Sequence, residues 1–112
     1  MGTALSYAIK FVSDMDAAVE FHQAQLGLRL RFQSSEWSEF DTGTTTLALH
    51  RASPEHPAGS CQLGFHVEGV DQFHAERVAA GVKSAAAPTN LHGQRIAKFL
   101  DPDGAEFSVG GS

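Results

Sequence analysis

The chain carries an internal repeat, and that repeat limits its fold more than any other feature. Tyr7–Leu28 (YAIKFVSDMDAAVEFHQAQLGL) reads as strand, capped turn, helix and glycine stop, and Gln62–Val82 (QLGFHVEGVDQFHAERVAAGV) reads the same way in weaker form. An offset of 55 residues aligns Tyr7 with Gln62, Phe11 with His66, Val12 with Val67 and Asp16 with Asp71. An offset of 54 then aligns Gly27 with Gly81. Self-similarity at one period means that a single supersecondary unit is used twice. At 112 residues the chain is long enough to bury one real core and too short for two independent ones. The two copies should therefore share one domain.

Local pattern fills in each copy. Residues 5–12 alternate as a strand, with Ile9 and Phe11 on one face and Ala8 and Val12 on the other, interrupted by Lys10. Ser13 and Asp14 are N-cap residues, and Asp16 favours a first helical turn. Met15, Ala18, Val19, His22 and Leu26 follow at helical spacing, and Gly27 is the expected stop. Leu28–Gln33 and Glu36–Asp41 alternate as strands, with Arg29 and Arg31 outward or in a polar space, and Asp41-Thr-Gly43 is a hairpin turn. Thr44–His50 is a β-branched strand. Arg51–Ser60 (RASPEHPAGS) is the linker, with His56 solvated in it. The second copy reads as strand Gln62–Val67, helix Asp71–Ala80, a weakly patterned strand Ser84–Asn90, strand Arg95–Leu100, turn Asp101–Gly104 and strand Glu106–Val109. This is an α+β chain of two tandem βαβββ modules, about 5–50 and 61–110, joined by the linker 51–60.

Composition narrows the function classes. A net charge of −5 disfavours nonspecific binding to nucleic acid or an anionic membrane surface. No window approaches the roughly 20 apolar residues of a membrane span, and Met1–Leu5 lacks the regions of a signal peptide. The single cysteine, Cys61, fits a reducing compartment, so a cytoplasmic domain is expected. No G-x-S-x-G, phosphate loop or dinucleotide fingerprint is present, and nothing in the sequence lowers the Cys61 pKa.

Three segments, FVSDMDAAVEFHQAQLGL (Phe11–Leu28), GFHVEGVDQF (Gly64–Phe73) and FLDPDGAEF (Phe99–Phe107), resemble the vicinal oxygen chelate superfamily in order and spacing. That superfamily includes glyoxalase I, bleomycin-resistance proteins, fosfomycin-resistance enzymes and extradiol dioxygenases. The resemblance implies half-barrel sheets around a cavity with the helices outside, and a homodimer. It also implies four inward ligand positions in metal-dependent members, which fall here on Tyr7, Ala48, Gln62 and Ser108. The repeat supports this register, since Ala48 and Ser108 are offset by 60.

These four residues are a degenerate ligand set. A divalent metal wants imidazole, carboxylate or thiolate donors. Ala48 has none, Ser108 and Gln62 are weak neutral donors, and Tyr7 must first lose a proton with a pKa near 10. No metal and no other cofactor is expected. A displaced set of His50, His66 and Glu106 has suitable donor types, but reads better as polar groups lining a cavity.

His22 and His74 read as packing residues on helix stripes, and His92 belongs to a flexible loop with a lid as its functional alternative. Trp37, the sole tryptophan, reads equally as core packing or as the aromatic wall of a pocket. The leading expectation is a binder of a small aromatic or cationic molecule by sequestration, as in bleomycin resistance. Tyr7, Phe11, Trp37, Ala48, His50, Gln62, His66 and Ser108 would line its site. The rival is a metal-independent lyase or isomerase, with His66 or Glu106 as general base and Tyr7 or Gln62 stabilising an oxyanion. A domain whose cavity is filled by side chains is the third reading.

Overall fold

A computed structural model describes residues 2–112. The chain separates into two compact units, Ser6–Cys61 and Gln62–Ser112, the latter joined by the first residues through Leu5.

In the first unit, strand β1 (Ala4–Val12) leads into helix α1 (Met15–Glu20), followed by β2 (Arg29–Gln33), β3 (Trp37–Asp41) and β4 (Thr46–Arg51). The strands lie in the order β2-β3-β4-β1. β1 runs parallel to β4, and β4–β3 and β3–β2 are antiparallel. Asp14 caps α1, its Oδ1 accepting from the Ala17 N–H at 3.1 Å, which satisfies one of the donors a helix start leaves open. Met15 and Val19, four residues apart, then face the sheet and pack with Val12, Phe40 and Leu49. Ser38 joins this face by donating to the Met15 sulfur at 3.3 Å.

The helix does not run on to Gly27 in regular α form. Phe21–Gln25 is a π-helical continuation, in which the Leu26 N–H reaches back five residues to the Phe21 carbonyl at 3.1 Å. His22 stays in the core at 5% exposure while Phe21 is 42% exposed. His22 Nδ1 lies 2.8 Å from the Ala18 carbonyl, and its ring leans on Phe40. Gly27 ends the segment at φ +75°, a conformation glycine adopts without steric cost.

The second unit repeats the plan with β5 (Cys61–Val67), α2 (Val70–Ala79), β6 (Lys83–Leu91), β7 (Gln94–Leu100) and β8 (Glu106–Gly111), ordered β5-β8-β7-β6. β5 is parallel to β8. Val67, Val70, Ala97, Phe99 and Val109 form its core, and Phe99 meets Phe73, Phe107 and the His74 ring. The start of α2 has no side-chain cap of its own. The Ser112 hydroxyl and carbonyl take the Gly69 and Val70 N–H groups instead, at 3.1 and 3.0 Å.

The weakly patterned strand is present, and three other sequence expectations need correction. The strand expected at Ser84–Asn90 extends over Lys83–Leu91, an edge strand with nearly every residue exposed, so its weak pattern reflects the lack of a buried face. His92 and Gly93 are not a flexible loop or lid. With φ of +52° and +80° they form the tight turn of a hairpin in which Leu91 pairs directly with Gln94. Arg51 belongs to β4, and the rest of the expected linker folds back on β1. Phe11 N–H donates to Ser60 and its carbonyl accepts from Gly59, both at 2.9 Å. His56 is therefore not solvated: its ring stacks on Phe11 with centroids 4.6 Å apart.

Candidate functional site

Each sheet has one face covered by its helix and one face without a helix. Strand alternation decides which side chains reach the second. In the first unit, β1, β4 and β3 align three rows across that face: Tyr7–Thr46–Asp41, Ile9–Ala48–Glu39 and Phe11–His50–Trp37. The structure thus gathers Tyr7, Phe11, Trp37, Ala48 and His50 on one surface. It adds a residue the sequence reading did not select, Glu39, directly across from Ala48.

Ala48 is fully buried, and its small side chain is what lets larger neighbours lean over the middle row. Tyr7 and Trp37 stand diagonally on either side, with ring centroids 6.0 Å apart. Trp37 also meets His50 edge-on at 5.8 Å, and Phe11 lies 5.2 Å from His50. These are ordinary aromatic pair distances.

Glu39 holds the group together. Its Oε2 accepts from the Trp37 indole N–H at 2.8 Å. Its Oε1 accepts from Arg31 Nε and Nη2 at 3.2 and 3.0 Å. Arg31 donates onward to the Thr46 hydroxyl at 2.6 Å. Hydrogen bonds to an ionised acceptor are roughly twice as strong as neutral ones, so this network fixes the indole plane. Burial, chiefly, raises the Tyr7 pKa above its ordinary 10.0. The Glu39 charge and a hydrogen bond to Glu39 push it the same way, and Arg31 opposes them. Tyr7 is a phenol at neutral pH.

Those facts bear on how well this face suits a metal. Ala48 offers no donor, Tyr7 is held further from its phenolate form, and both Glu39 oxygens already accept hydrogen bonds. The donors do not fit a divalent cation. Among the described residues no three His, Cys, Asp or Glu side chains come together as a metal-binding set.

In the second unit the helix-free face carries Gln62, Gly64 and His66 on β5, with Ser108 beside Gly64 and Gly110 beside His66 on β8. Gln62 is 7% exposed. His66 is exposed. Glu106 lies 4.0 Å from the Lys98 ammonium.

The residue pattern and the geometry agree with a comparison of family models. The model of the Glyoxalase/Bleomycin resistance protein/Dioxygenase superfamily matches residues 4–109. The chain belongs to this superfamily. Comparison with curated protein sequences gave no match. Among solved structures, a hypothetical protein from Bacillus halodurans C-125 is similar over 100% of this chain and 96% of its own, with 14% identity and a TM-score of 0.86. Methylmalonyl-CoA epimerase from Mycobacterium tuberculosis is similar over 96% of this chain and 87% of its own, at 17% identity and a TM-score of 0.78. A methylmalonyl-CoA epimerase complexed with methylmalonyl-CoA and NH4+ covers 98% and 94%, at 21% identity and a TM-score of 0.74. Likeness at this identity speaks for the fold, and one fold hosts many chemistries.

Proposed function

We propose that the chain binds a small planar aromatic molecule, neutral or cationic, against Trp37 on the helix-free face of the first unit. The observation that carries this reading is the fixed indole. Trp37 is only half-buried, yet its N–H is bound to Glu39 at 2.8 Å and its ring is braced by Tyr7 and His50. A core tryptophan needs no such fixing at a surface, whereas a platform held in one orientation loses little entropy when a ligand stacks on it. The electron-rich face of the indole favours a cationic ring over an anionic one. Tyr7, a neutral phenol, and His50 supply hydrogen-bonding groups at the rim of the platform. The function is binding without a metal, as in sequestration.

Turnover without a metal is the second reading. Its support is that His66 is exposed on β5, opposite Gly110, which has no side chain. Loss of turnover in His66→Ala with binding retained would establish it.

Benzamidine and benzoate, matched in shape and opposite in charge, test the first reading by titration calorimetry. Benzamidine should bind the wild type, and Trp37→Leu should weaken it by about 2- to 30-fold, the equivalent of a cation–π contact of about 0.5–2 kcal/mol. Equal binding of benzoate, or unchanged benzamidine affinity in Trp37→Leu, would remove Trp37 from the site.

A further inference from the structure

Strand β2 departs from its own sequence pattern, and the departure adds one side chain to the Trp37 face. Strict alternation in Leu28–Gln33 groups Phe32 with Leu28 and Leu30. Leu28 and Leu30 do pack against the core of the first unit, on the side covered by α1. Phe32 does not join them. The register against β3 shifts between Leu30 and Phe32, so that Leu30 pairs with Phe40 and Phe32 pairs with Glu39. Residues paired across an antiparallel ladder share a face. Leu30 therefore follows the buried Phe40 inward, and Phe32 follows Glu39 onto the helix-free face.

The neighbours of Phe32 fix this orientation. Arg31 reaches Glu39 and Thr46 on the helix-free face. Gln33 returns to the helix side, where it pairs with the buried Ser38 and donates its amide to Asp16 on α1 at 3.4 Å. Arg31 and Phe32 are thus consecutive residues on one face, as a β-bulge produces. Arg31 would point that way by alternation alone, so the side chain that the bulge turns is Phe32. Bulges next to functional sites re-aim side chains in this manner.

The middle row of the face now reads Ile9–Ala48–Glu39–Phe32. Trp37 stands two residues before Glu39 on β3, which makes Trp37 and Phe32 diagonal neighbours, about 7–8 Å apart, a span that aromatic side chains reach across. Phe32 is 52% exposed. It offers apolar surface at the β2 side of the platform, where Tyr7 and His50 do not reach.

We propose that Phe32 is the second aromatic wall of the Trp37 site and that the site takes a planar ligand of two fused rings. One ring stacks on Trp37, and the other extends past Glu39 to Phe32. This inference rests on the Trp37 platform and names the size class of its ligand.

Benzamidine and naphthalene-2-carboxamidine carry the same amidinium on one ring and on two. Their affinities for the full chain, measured by titration calorimetry in the wild type and in Phe32→Ala, test the assignment. The Trp37 indole cross-peak in a 1H–15N spectrum reports whether each ligand sits on the platform. The two-ring ligand should bind the wild type more tightly than benzamidine. Phe32→Ala, a change at an exposed edge-strand position, should weaken the two-ring ligand about 2- to 10-fold more than it weakens benzamidine, the range of one aromatic pair. Equal affinity of the two ligands in the wild type, a two-ring preference that survives intact in Phe32→Ala, or an equal loss of both ligands would overturn the role of Phe32 and leave Trp37 in place. An indole peak moved by neither ligand would overturn the platform and this inference with it.

Discussion

Tyr7 is the only tyrosine in the chain, so its ionisation can be read directly from the absorbance of tyrosinate near 295 nm. Three influences raise its pKa above 10.0: burial first, then the charge of Glu39, then the hydrogen bond to Glu39, with Arg31 acting in the opposite direction. Replacing Glu39 by Gln keeps the shape and an acceptor for the Trp37 indole but removes the charge. The Tyr7 midpoint should then fall, while burial still holds it above 10.0. Arg31→Met should raise it. Glu39→Gln also weakens the Trp37–Glu39 hydrogen bond from charged to neutral, about 1 kcal/mol. It also removes the Arg31 ion pair, worth at most about 1 kcal/mol because Arg31 is 44% exposed. Glu39→Gln should therefore cost about 1–2 kcal/mol in urea unfolding followed by Trp37 fluorescence.

The pH dependence follows from the sign of the shift. A phenol whose folded pKa lies above its unfolded value contributes stability that is complete below about pH 10. That contribution disappears as pH rises through the folded value. A wild-type midpoint at or below 10.0, or one unmoved by Glu39→Gln, would refute the network drawn around Tyr7.

Other outcomes follow from packing. A Cβ placed on Gly111 would lie 1.8 Å from the Val67 carbonyl oxygen. Gly111→Ala should thus push β8 from β5 and cost about 1–3 kcal/mol or more in denaturant unfolding, whereas Gly43→Ala meets no atom within 4 Å and tests only the backbone conformation. Phe40, fully buried between sheet and α1, should cost about 3–5 kcal/mol when cut to Ala. His92, at φ +52° in a two-residue turn, should gain a few tenths to about 1 kcal/mol on change to Gly, measured as a higher melting temperature.

The fold was legible where a local rule and a buried face coincide. The Asp14 cap, the Met15, Val19 and His22 part of the helical stripe and the Gly27 stop appear as read, because each depends on neighbours within about one helical turn. Leu26, the last member of the stripe, lies after the π turn and is 55% exposed. The π-helical turn was not legible, since nothing in Phe21–Gln25 distinguishes one hydrogen-bond span from the next. Strand β6 looked patternless because both of its faces meet solvent. Of the expected site residues, the strand pairing sets Tyr7, Phe11, Trp37, Ala48 and His50 on one sheet face, two of them, Tyr7 and Ala48, singled out by the family resemblance and not by local pattern. Glu39 was not selected because, although alternation sets it beside Trp37 on one strand face, its place opposite Ala48 depends on strand register. The stacking of His56 on Phe11 likewise depends on a loop returning to β1. Neither is encoded in local composition.

The central claim is that Trp37 is a ligand platform. As the sole tryptophan, it gives a single indole N–H cross-peak in a 1H–15N spectrum, and that peak reports the ring bound to Glu39. A benzamidine titration should move this one peak saturably and shift it in parallel with the amides of Tyr7 and His50. An indole peak that stays in place while benzamidine binds elsewhere, or that does not move at millimolar ligand, would contradict it.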